Sequence, residues 1–106
     1  SAMRRMVREI RRTNGSSITV FTSAEYRFID LNTNVIDYQQ SGTNLSRNGA
    51  VLLADLAPGG LQFTYLTTTG ATAATAAAIK IVNIQLIAES GQNRVRLFNA
   101  AGIRNK

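Results

Sequence analysis

Met3-Arg4-Arg5-Met6-Val7-Arg8-Glu9-Ile10-Arg11-Arg12 is the stretch on which the fold turns. Met3, Met6, Val7 and Ile10 fall at i, i+3, i+4 and i+7, which is one apolar stripe of an α-helix. Arg4, Arg5, Arg8, Arg11 and Arg12 take the other side. Asn14-Gly15 follows as a stop signal, with glycine suited to a left-handed helix cap. A helix of about ten residues is barely stable alone in water. The stripe must therefore dock on another layer or continue a longer helix.

From residue 16 onward the apolar pattern changes to period two, the signature of strands. Ser17–Phe21, Glu25–Leu31, Val35–Gln39, Leu45–Arg47 and Ala50–Leu53 read as strands. Asn32-Thr33-Asn34, Ser41-Gly42-Thr43-Asn44 and Asn48-Gly49 stand between them as turns, and Asn-Gly is the strongest hairpin dipeptide of the chain. Residues 17–53 form an antiparallel meander on this reading. Pro58-Gly59-Gly60 breaks the chain before a strand over Leu61–Thr67. The low-complexity stretch 68–78 reads as a loop, because threonine and glycine oppose a helix there and no apolar stripe is present. Ile79–Glu89 is the longest strand, with Val82, Ile84, Leu86 and Ala88 on one face and Asn83 and Gln85 on the other, which suits a half-solvated sheet. Val95–Phe98 is the last strand, and Ala100–Lys106 is a polar tail that closes over an edge or frays. The expected architecture is α+β, one N-terminal helix packed on an antiparallel sheet.

Composition narrows the chemistry. With 106 residues and 44% apolar content the chain suits one globular domain. It has no cysteine and no histidine, so disulfides, thiolate metal sites and the usual neutral-pH base are missing. Its carboxylates, Glu9, Glu25, Asp30, Asp37, Asp55 and Glu89, are scattered. Ser16, Ser17, Ser41 and Ser46 have only Lys80 and Lys106 as lysine activators, and neither sits in a motif. These features argue against an enzyme, and no cofactor is expected. The net charge is +6, of which residues 1–12 carry +4. Ser1-Ala2 reads as a remnant of tag removal, which leaves residues 3–106 as the domain. No stretch has the ~20 apolar residues of a membrane helix.

The order of these elements resembles the globular region of the minor pilins and minor pseudopilins, the prepilin-type subunits of type IV pili and type II secretion systems. The resemblance covers Met6–Asn105. It rests on MVREIRRT (Met6–Thr13), FIDLNTNVIDYQQSGTNLSRNG (Phe28–Gly49), LLADLAPGGLQFTYLTTTG (Leu52–Gly70), IKIVNIQLIAESG (Ile79–Gly91) and GIRNK (Gly102–Lys106), taken in that order. The sequence departs from the family in lacking the hydrophobic N-terminal helix and its cleavage site. The resemblance implies a structural and assembly subunit. A long N-terminal helix would sit in the bacterial inner membrane and then in the filament. The head would face the periplasm or cell surface, and the partners would be other pilins or pseudopilins.

Two sets of residues are candidate sites. Arg5, Arg8 and Arg12 could bind an anion: DNA phosphate, anionic lipid or an acidic face of a neighbouring subunit. The alternative for them is a solvated helix face, which is what charge runs on short helices usually are. A DNA-binding or DNA-uptake module is the rival to the assembly reading. Asp30, Asn32 and Asn34 place oxygen ligands at i, i+2 and i+4, like half a calcium loop, but without the glycine and glutamate such a loop needs. A hairpin turn is the preferred reading there. Tyr26, Phe28, Tyr38, Phe63 and Tyr65 alternate on strands and are expected in the core. Gly59-Gly60 reads as a turn.

Overall fold

A computed structural model describes residues Ser1–Ile103. The first helix, α1, spans Ala2–Arg11. Met6 and Ile10 are 0% exposed, Val7 is buried, and Met3 packs half-buried against the same core. The apolar stripe is therefore docked, which is what makes so short a helix stable. Ser1 caps it, its Oγ accepting from the Arg4 amide at 3.3 Å.

The helix ends differently from the expected glycine cap. Arg12 closes it in right-handed backbone geometry. Asn14-Gly15 instead opens a 3-10 turn, Gly15–Ser17, in which the Asn14 side chain accepts from the Ser16 amide at 3.0 Å. Glycine at 15 is suited to space rather than to φ, since a side chain would be tight there. A Cβ there would lie 3.0 Å from the Ala76 carbonyl oxygen of a second 3-10 turn, Ala76–Ala78.

Five strands follow in a meander: β1 (Ile18–Phe21), β2 (Glu25–Ile29), β3 (Val35–Ser41), β4 (Asn44–Arg47) and β5 (Ala50–Leu53). All neighbours pair antiparallel in sequence order. Asn48 and Gly49 both have positive φ, 52° and 83°, the backbone of a tight two-residue hairpin. Thr33, at φ 64°, turns β2 into β3.

The remaining strands are β6 (Leu56–Leu66), β7 (Ile81–Ser90) and β8 (Asn93–Gly102), and they form a second antiparallel sheet. The expected single sheet is thus two. Backbone and side-chain bonds join them. The Leu56 amide donates to the Thr43 carbonyl at 2.8 Å and the Phe63 amide to the Ser23 carbonyl at 2.8 Å. Gln40 bridges with both ends of its amide, donating to the Ala57 carbonyl and accepting from the Leu61 amide, each at 2.9 Å.

Two strand boundaries also need correction. Pro58-Gly59-Gly60 does not break the chain. It is an irregularity inside β6, where the register against β7 shifts between Leu56 and Leu61. A Cβ on Gly60 would lie 2.6 Å from the Ile87 carbonyl oxygen, so only glycine lets β6 run this close to β7. The last strand is much longer than Val95–Phe98, pairing with β7 from Asn93 to Gly102. Ala100 and Ala101 therefore belong to a strand rather than a tail, while Arg104–Lys106 lie outside the described residues.

The core lies where α1 and the inner faces of both sheets meet. Tyr26, Tyr38, Leu45, Leu61, Ile79, Val82, Ile84 and Leu86 are all nearly or fully buried. The expected face of β7 is inward at Val82, Ile84 and Leu86. Tyr26, Phe28, Phe63 and Tyr65 make a ring cluster with centroids 5.4–6.2 Å apart, a geometry that adds to area burial.

Candidate functional site

The charges of α1 divide into two groups with opposite fates. Glu9 lies beside the apolar stripe and points into the fold. Arg47 at the end of β4 reaches it with two bonds, Nε to Oε1 at 2.9 Å and Nη2 to Oε2 at 2.7 Å. The Tyr38 hydroxyl donates to the same Oε1, and Arg5 stands 3.9 Å from it, one helical turn away. Burial pushes the Glu9 carboxyl up, but the bonds from Arg47 and Tyr38 and the charges of Arg47 and Arg5 outweigh it, leaving the group below its ordinary value. Burial, with the Glu9 carboxylate alongside, pushes the Tyr38 hydroxyl up. This forked, charge-assisted contact pins the helix to the five-stranded sheet.

Arg4, Arg8, Arg11 and Arg12 form the second group. They line an open groove of about 520 Å³ together with Val7 and Gly102, the end of β8. All four are exposed, and none has an ion-pair partner among the described residues. Among the described residues no atom lies within 4 Å of the position a Cβ on Gly102 would take, so they leave its side of the groove open. Of the residues singled out in sequence, Arg8 and Arg12 belong to this groove and Arg5 belongs to the Glu9 network. Arg4 and Arg11 complete the groove. Arg12 also borders a smaller hollow of about 130 Å³ lined by Glu9, Phe28, Asp30, Leu31, Asn32 and Ile36.

Asp30, Asn32 and Asn34 sit in the β2–β3 turn. Asp30 Oδ1 accepts from the Asn32 amide at 2.9 Å and the Asn34 amide at 2.8 Å. That carboxylate oxygen is committed to holding the turn. On the outward face of the same hairpin, Arg27 bridges Glu25 at 3.1 Å and Asp37 at 3.2 Å. The neighbouring Asp37 carboxyl, aided by burial, pushes the Glu25 carboxyl up despite Arg27. Two of the serine hydroxyls are held by backbone carbonyls. The Ser17 hydroxyl donates to the Asn14 carbonyl at 2.7 Å and the Ser46 hydroxyl to the Gln39 carbonyl at 3.2 Å. Lys80 Nζ reaches the Ala77 carbonyl at 3.4 Å. Among the described residues no cluster of three or more acidic, histidine or cysteine side chains could hold a metal.

The Glu9–Arg47 pair was not singled out in sequence, since 38 residues separate its members. One signal was available. Glu9 is the only acid of the helix and follows Met6 by three positions, so it borders the buried stripe. Comparison with known proteins gives no further guide, since no family model, no curated protein and no solved structure matches the chain.

Proposed function

We propose that this chain is the globular head of a minor pilin or minor pseudopilin, a non-enzymatic assembly subunit of a bacterial envelope filament. The observation that carries the reading is the seating of α1. Its apolar stripe is buried at Met6, Val7 and Ile10, and Glu9 is clamped by Arg47 and Tyr38. A helix fixed at this end passes its direction to whatever precedes it, as a lollipop-shaped subunit requires. Head-to-tail contacts between such subunits do not close on themselves and so build a filament. In this role the partners are other subunits of the filament, and the head lies in the periplasm or at the cell surface. The gene upstream of Met3 tests the proposal. A basic leader followed by about twenty apolar residues supports it, and a gene that opens at Met3 contradicts it.

A further inference from the structure

We infer that the groove between α1 and the end of β8 is a docking surface for the phosphate backbone of duplex DNA, read without sequence preference. The inference does not depend on the filament reading. Arg4, Arg8 and Arg12 succeed one another at single-turn spacing, and Arg11 stands beside them. At 1.5 Å rise per residue the row is about 12 Å long, enough to follow several phosphates spaced at about 3.4 Å of axial rise per strand. Guanidinium forks match phosphate oxygens, and these four are not committed to any carboxylate among the described residues.

The groove's lining separates this partner from the others. Its one apolar side chain, Val7, is 8% exposed and already used in the core. A protein partner would need an apolar centre to the interface, and the groove has none. Insertion into a membrane would need the helix's apolar face, and that face is covered by the sheets; the vesicle arm below tests purely electrostatic attachment to anionic lipid. The groove holds no aromatic ring on which a single-stranded base could stack. Backbone phosphate contact requires only the charges present.

Fluorescence anisotropy with a labelled random-sequence duplex tests the assignment, using the wild type and four variants. Between about 50 and 200 mM salt, the logarithm of the binding constant should fall against log salt with a slope of about −3 to −4, the value for three or four phosphate contacts. Arg8→Gln should reduce the slope by about 1, and Arg8→Gln with Arg12→Gln by about 2. Gly102→Glu adds a carboxylate to the groove with no described residue in its way, and should weaken binding while leaving the arginines in place. Arg94→Gln, on the exposed β7–β8 hairpin and paired with Glu89, should bind as wild type does. Far-UV circular dichroism checks that each variant folds. Three results would overturn the assignment: no binding at the lowest salt, an Arg94→Gln loss equal to that of Arg8→Gln, or capture by phosphatidylserine vesicles in place of DNA.

Discussion

Glu9 with Arg47 and the row Arg4, Arg8, Arg11 and Arg12 belong to one short helix or touch it, yet their charges do different work. The Glu9 carboxylate is mostly shielded, answered by a forked guanidinium and a tyrosine hydroxyl. The four arginines face solvent over an open groove and form no ion pair among the described residues. Charges that are desolvated must be answered inside the fold, because an unanswered one costs several kcal/mol. Exposed charges cost little and stabilise little. The first group therefore belongs to stability, and the second is available for a partner.

Replacing the apolar side of the same helix sets the scale. Ile10→Ala, at a fully buried position, should lower unfolding stability by about 3–4 kcal/mol, read from the denaturant midpoint. An unchanged midpoint would mean that α1 is not docked. Glu9→Gln comes next. It removes the charge that answers Arg47, and a loss of about 2 kcal/mol is expected for this partly exposed pair. If Glu9→Gln cost no more than Arg8→Gln, the distinction between the two groups would fail.

The same carboxylate makes stability depend on pH. The Glu9 value is lowered by folding, so its contribution is complete above the ordinary 4.5 and is lost as the pH falls below it. Glu25 acts in the opposite sense. Its raised value favours the fold at low pH and withdraws that contribution as the pH rises past 4.5. Urea midpoints across the acid range should therefore fall less steeply on acidification in Glu9→Gln and more steeply in Glu25→Gln. Parallel curves for the two variants would remove either group from the account. The smallest effect belongs to the groove. Arg8→Gln should change stability by less than about 0.5 kcal/mol, and a larger loss would make that arginine structural.

The local features are legible in the sequence. The stripe Met3, Met6, Val7 and Ile10 predicts a docked helix, and Asn48-Gly49 predicts a hairpin whose two turn residues do take positive φ. The alternation of Val82, Ile84 and Leu86 predicts the inward face of β7. What escaped depends on contacts distant in sequence. Nothing in period-two patterning tells that strands after residue 55 leave the first sheet and build a second. Pro58-Gly59-Gly60 looks like a chain break because glycine and proline end most elements. Only the approach of β7 shows why a glycine at 60 permits a bulge instead. The length of β8 was hidden by its exposure. Arg94, Arg96, Asn99 and Ala100 give no apolar rhythm, and Phe98 is 64% exposed. The groove was half visible, since spacing places the arginines on one side of a helix but cannot say that Gly102 faces them or that Arg5 turns to Glu9.

Native-state hydrogen exchange of the α1 amides tests the seating of the helix most directly. The account predicts that the amides of Ile10 and Arg11 open only with the whole domain, at the free energy measured for Ile84 in β7. Exchange of those amides by local opening, well ahead of β7, would contradict it.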